Sequence, residues 1–303
     1  MDNYLSLITD SDKTVGKYIY PYGLFGGGTN GSVLAFTEKY AYATNTTGEG
    51  TVLGTARYGL AACGNSTVGI FCNITSAYTD KYTYSNDVVA AGTSLGLARS
   101  NLGACGNSTV GIFGGGDGGG VTSYTDKYTY SNNVVAAGTV LGSARHTLSA
   151  CGNSTVGIFG GGYTGSFTAY TDKYAYSGDV VAAGTVLGLS RNALAATGNS
   201  TVGIFGGGST GNYTNVTAYT DKYTYSNNIV SAGTVLGLAR YYSAATGNSV
   251  LGIFSSGKIV NATYTSYTDK YTYSTDVVIQ GTYLSLDRSE LAATSSQPGG
   301  FTS

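Results

Sequence analysis

The chain has 303 residues, among them 48 Gly, 28 Tyr, two Pro and no Trp, with 10% charged residues and a formal net charge of -1. That balance supplies no basic face to neutralise phosphates, which argues against nucleic acid as a partner. High glycine with low charge is shared with disordered chains, but 42% hydrophobic residues and a strict internal repeat argue for a packed core.

From the N-terminus, MDNYLSLITDSDK lacks a basic segment followed by an apolar one, so no standard secretory signal is expected. No run of about 18 apolar residues follows, so membrane insertion is not expected. Residues 1–14 read as an N-terminal extension and residues 15–303 as one repeat-built body. A unit written TDKYTYSNDVVAAGTSLGLAR at 79–99 and GNSTVGIFGGG at 106–116 recurs along the chain. Arg57, Arg99, Arg145, Arg191, Arg240 and Arg288 mark one position in six copies and are the only arginines, at steps of 42, 46, 46, 49 and 48 residues. That period suits propeller blades and exceeds those of ankyrin and tetratricopeptide repeats.

Each copy predicts four short strands separated by Gly, Asn or Ser. After Arg57 they are Tyr58 to Cys63, then Thr67 to Phe71 beyond a Gly-Asn-Ser hairpin, then Lys81 to Tyr84, then Val88 to Leu95. No helix-length amphipathic pattern interrupts them, so the chain reads as all-β. From each Arg to the next Phe (71, 113, 159, 205, 254) the distance is 14 residues, and from each Tyr of the Lys-Tyr pair to the next Arg it is 17. Only the stretch from Phe to that Tyr varies, between 11 and 18 residues. Length variation belongs on surface loops, so the connection between second and third strands is the variable one.

An Arg opening the inner strand, a hydrophobic second strand ending in paired glycines (Gly26 to Gly28, Gly114 to Gly116, Gly160 to Gly162, Gly206 to Gly208) and a Tyr in the third strand are similar to the kelch motif. The resemblance covers roughly residues 15 to 303. It departs where kelch repeats carry a fourth-strand Trp, here aliphatics such as Val140 and Leu141, and where glycines give way to Cys72-Asn73-Ile74 and Ser255-Ser256-Gly257. It implies a six-bladed propeller of four-stranded antiparallel blades.

The N-terminal copy begins at its second strand near Leu24 and Phe25, and the last inner strand, Arg288 to Thr294, has no second strand after it. The C-terminal strand is therefore expected to complete the N-terminal blade and close the ring. Blades are expected at 57–98, 99–144, 145–190, 191–239, 240–287, and 288–303 with 15–56. The competing detail is Tyr4-Leu5-Ser6-Leu7, which matches Tyr283-Leu284-Ser285-Leu286 and leaves room for a degenerate first strand in residues 8 to 20.

Little of the chain suggests chemistry. Cys63, Cys105 and Cys151 fill a column that later copies fill with Thr197, Thr246 and Thr294, so small buried side chains and free thiols are expected there. Cys72 stands where other copies carry Gly. His146, the only histidine, shares its column with Ser100, Asn192, Tyr241 and Ser289 and reads as a surface residue. No metal-ligand set can be assembled and the sialidase box is missing, so neither an enzyme nor a cofactor is expected. Glu38, Asp80, Asp126, Asp172, Asp221 and Asp269 each precede the third-strand Lys and are expected to brace the blades by pairing with the arginines. A ring of arginines collecting anionic ligands is the alternative. The Asn-Ser-Thr sequons at 65, 107, 153 and 199 read as turn chemistry.

The repeating Tyr82 and Tyr84 and their equivalents are expected between blades. The variable loops instead hold non-repeating Tyr163, Phe167, Asn212, Tyr213, Asn215, Asn261 and Tyr264, a set suited to sugar or protein binding, with loop self-packing as the other reading. Near-identical blades rich in Gly, Tyr, Thr and Ser look like repeat-built accessory proteins of bacteriophage particles. That resemblance implies a non-enzymatic tail or fibre component in a virion, in several copies, held to other assembly proteins and presenting loops to a host-surface glycan or protein. A bacterial surface or extracellular adhesion protein and a cytoplasmic kelch-type scaffold are the alternatives.

Overall fold

Breaks at Gly, Asn and Asp every few residues leave each repeat room only for short strands, which pair as antiparallel hairpins. A computed structural model describes residues 21–72, 77–212 and 214–298. It contains six four-stranded antiparallel sheets arranged as the blades of a closed propeller. In blade 3 the strands from the centre outwards are Gly103–Gly106, Val110–Gly114, Thr125–Thr129 and Val134–Ala137. Blades 2, 4 and 5 repeat this layout, and blade 6 lengthens its middle strands to Leu251–Lys258 and Tyr264–Thr272.

Blade 1 is assembled from both ends of the chain. Its inner strand is Ala292–Ser295, paired with Tyr22–Gly26 so that Ala293 faces Phe25, and Thr37–Ala41 and Thr46–Glu49 complete it. The C-terminal strand thus closes the ring. The candidate strand in residues 8 to 20 lies outside the described residues.

Register explains the core. In blade 3, Ala104, Phe113, Asp126 and Ala137 form one cross-strand row. Successive residues point to opposite faces, so each blade offers its Ile to one neighbour and its Phe and Tyr to the other. Ile70 of blade 2 packs on Phe113, Tyr128 and Tyr130 of blade 3, and Ile253 of blade 6 on Phe25, Tyr40 and Tyr42 of blade 1. Tyr82 and Tyr84 hold the same place against Leu24 of blade 1, the inter-blade role expected of them. Each fully buried aromatic contributes roughly 1.5–3 kcal/mol. The Cys/Thr column meets these tyrosines: Tyr225 Oη lies 3.6 Å from Cys151 Sγ, and Tyr84 Oη 3.0 Å from Thr294 Oγ1. All four cysteines are free and buried.

In blade 2 the second and third strands shift by one or two residues, to Val68–Cys72 and Thr79–Thr83, and two boundaries move further. The inner strand of blade 2 is Ala62–Gly64, not Tyr58 to Cys63, because Gly59 turns the chain at φ 62° before it can extend. The fourth strand stops at Ala91: the Gly92 amide makes a last ladder bond to the Thr79 carbonyl at 2.8 Å, and beyond it the chain leaves the edge so that Leu95 drops into the core.

Candidate functional site

The described parts of the variable loops share one face of the ring, and repeated chemistry builds the floor beneath them. In blades 3 to 6 each Arg lies under its own blade's loop and reaches the second-strand Phe carbonyl and the third-strand acid, because register aligns those two residues. In blade 3, Arg99 Nη2 donates to Phe113 O at 2.8 Å and Nη1 to Asp126 Oδ2 at 2.7 Å. Asp126 Oδ1 accepts the Gly96 amide of blade 2 at 2.8 Å, so the acid braces within and between blades. Blades 4, 5 and 6 hold the same pair at 2.6, 2.6 and 2.7 Å, and blade 2 pairs Arg57 with Asp80. All six arginines are buried, so the bracing role holds and the guanidinium groups do not form an open anion-collecting ring.

Blade 1 departs from this pattern. Its acid is Glu38, whose Oε2 stands 3.8 Å from Arg288 Nη2, and neither atom makes a hydrogen bond. Burial raises the Glu38 carboxyl above its ordinary range and lowers Arg288 to about 10, with their mutual attraction only partly opposing it.

Above the arginines, paired glycines let the loops leave the sheet. Gly116, at φ 100°, donates to the Arg145 carbonyl of blade 4 at 2.9 Å, and a Cβ there would lie 2.7 Å from Ser100 O. The fourth residue after the second-strand Phe then bridges the residue after the blade's own Arg: Ser100 with Asp117, His146 with Tyr163, Asn192 with Ser209, Tyr241 with Lys258. The next residue in each copy lines the mouth of the central channel. Gly59, Asn101, Thr147, Ala193, Tyr242 and Glu290 all adopt positive φ, between 51° and 62°. Each amide donates to the carbonyl of its counterpart in the preceding blade, at 2.7 to 3.0 Å, in a closed circle of six hydrogen bonds.

The non-repeating loop residues stand on three consecutive blades. On blade 4, Tyr163 and Phe167 are half-buried with ring centres 5.4 Å apart, and His146 extends the cluster, 5.5 Å from Tyr163. His146 is therefore not the free surface residue its sequence column suggests: the bridge to Tyr163 draws it under the loop. Burial lowers its pKa below the ordinary value, and Asp117 of blade 3 pulls the other way. On blade 5, Asn212 and Asn215 are exposed, and the Asn215 carbonyl accepts the Thr210 amide at 3.0 Å. Tyr213 lies outside the described residues. On blade 6, Asn261 is exposed at φ 64° in the short turn Val260–Ala262, and half-buried Tyr264 sits over Lys258 Nζ at 5.2 Å. Lys258 also lies 5.7 Å from the Tyr242 ring and 3.1 Å from Glu290 Oε1.

Reading loop lengths alone passes over His146, Tyr242, Lys258 and Glu290, although each occupies a column that differs between copies. It also passes over an aromatic column, Phe36, Tyr78, Tyr124, Tyr170, Tyr219 and Tyr267, two residues before the third-strand acid of each blade. Four of these rings cover buried arginines at 5.2 to 5.6 Å, while Tyr78 and Tyr170 are 62% and 56% exposed.

The opposite face carries the Asn-Ser-Thr hairpins. Asn107 Oδ1 accepts the amides of Thr109 and Val110 at 2.9 and 3.0 Å, and its Nδ2 donates to Ser154 O of the next blade at 3.2 Å. These asparagines serve turn geometry and inter-blade contact. Tyr22 and Ser296 meet at this face, at 2.9 Å, so the described chain enters and leaves there. Among the described residues no group of three or more His, Cys, Asp or Glu could hold a metal ion. The sequence matches no family model and no curated protein.

Proposed function

We propose that the chain is a non-enzymatic binding module of a bacteriophage tail or fibre, whose variable-loop face attaches to a glycan or protein on the host surface. A propeller is a frame suited to binding or scaffolding. The observation that carries the reading is the division of the two faces. Non-repeating aromatics and amides gather on one of them, over a floor held by buried ion pairs, while both described ends leave from the other. A chain anchored through its ends would point these loops away from the particle. Several copies would add avidity of roughly 10²–10⁴ to weak single sites.

Mass spectrometry of purified particles should find the chain as a stoichiometric component, and its absence there would overturn the virion assignment. Replacing Tyr213 and Tyr264 with Ala should weaken adsorption to cells with the fold retained. Unchanged adsorption would make the propeller a spacer.

A further inference from the structure

Among the described residues, the non-repeating loop aromatics stand only over blades 4 and 6, with exposed amides over blades 5 and 6. The arc over blades 4, 5 and 6 thus differs from blade 1, whose loop turns on the single amide of Asn30 before Gly31, and from blade 3, which turns on Asp117 followed by three glycines. We propose that this arc binds an uncharged oligosaccharide, with the His146–Tyr163–Phe167 cluster as the platform for a sugar ring and Asn212, Asn215 and Asn261 supplying amides to hydroxyls. The inference rests on the loop-face reading and narrows it.

Three observations select this ligand class. First, the three residues are half-buried and their rings meet at 57° and 73°, so they do not stack face to face on one another, and a sugar could lay its C–H face against them. Second, among its described residues the arc offers no free cation. Lys258 is tied to Glu290 at 3.1 Å, the arginines are buried against acids, and the burial of His146 under its loop disfavours its charged form. A sialic acid, uronate, sulfate or phosphate would therefore be desolvated without a counter-charge. Third, the chain has no Trp and buries every Arg of the described face, which removes two of the three side chains that usually anchor protein partners. Tyrosine, amides and hydroxyls remain, and these are the groups a polyhydroxylated neutral ligand can use.

The test is an array of neutral hexose and N-acetylhexosamine oligosaccharides beside sialylated, uronate-containing and sulfated ones, probed with the full chain. Neutral members should be retained, with little dependence on added salt. Y163A/F167A should lower affinity at least ~10-fold, N212A/N215A should lower it without a change in melting temperature, and S32A on blade 1 should leave it unchanged. Equal or stronger capture of acidic members overturns the inference, as does unaltered binding by both arc variants. A silent array with glycosidase-resistant attachment to cells also overturns it, while sparing the loop-face reading. That reading fails separately, if the Tyr213/Tyr264 double variant leaves attachment to cells unaltered.

Discussion

The Gly59 amide of blade 2 donates to the Glu290 carbonyl of blade 1 at 2.8 Å. This bond spans nearly the whole described chain and completes the circle around the channel mouth. Closure therefore involves more than the pairing of Ala292–Ser295 with Tyr22–Gly26. It also draws in Arg288, which reaches the Gly27 and Phe36 carbonyls at 3.2 and 3.0 Å.

Deleting residues 288–303 removes the inner strand of blade 1, its Arg and one member of the circle. The expected outcome is loss of cooperative melting, or a fall in Tm beyond about 10 °C, since each kcal/mol moves Tm by ~2–4 °C in a domain of this order. Circular dichroism melts of full and truncated chains test this, and an unchanged Tm would defeat the closure.

Arg145→Ala should cost roughly 3–5 kcal/mol, because Asp172 would remain buried without its partner. Denaturant titration measures it. A loss below about 1 kcal/mol would place this pair with solvent-screened surface bridges.

Glu38→Asp should stabilise the protein by about 1 kcal/mol. The shorter acid matches those of blades 3 to 6, which hold their arginines at 2.6 to 2.7 Å where Glu38 leaves 3.8 Å. A lower Tm would show that the Ser285 amide bond to Glu38, at 2.7 Å, matters more than the ion pair.

Burial holds the thiols protonated, raising Cys72 to about 11 and Cys105 and Cys151 to about 12. A thiol reagent at pH 8 should therefore react slowly with the native chain and count four thiols in denaturant. Two or fewer in denaturant without reductant would reveal a disulfide.

His146 should titrate below the ordinary value of about 6.5, as followed by its ring proton resonances in NMR. Its folded pKa is depressed, so the unfolded chain binds the proton more readily. The stability linked to this residue is present above the unfolded pKa and is lost as pH falls through the folded one. A midpoint above 6.5 would mean that Asp117, not burial, governs the ring.

Fold and loop position were legible in the sequence because a repeat states its rules six times. Constant spacing from Arg to Phe and from Tyr to Arg marks what must pack, variable spacing marks what need not, and an unpaired strand at each end implies closure. The Arg–acid braces and the Asn-Ser-Thr turns were legible for the same reason. The circle of amides, the burial of every Arg and the Lys258–Glu290 pair were decided by the tertiary structure. Each depends on how far one blade rotates against the next, a geometry that no single repeat encodes. His146 shows this most plainly: its column reads as surface, and only the bridge to Tyr163 turns it into part of a site. Local periodicity specifies a blade, but residues that occur once acquire their neighbours only when the ring closes.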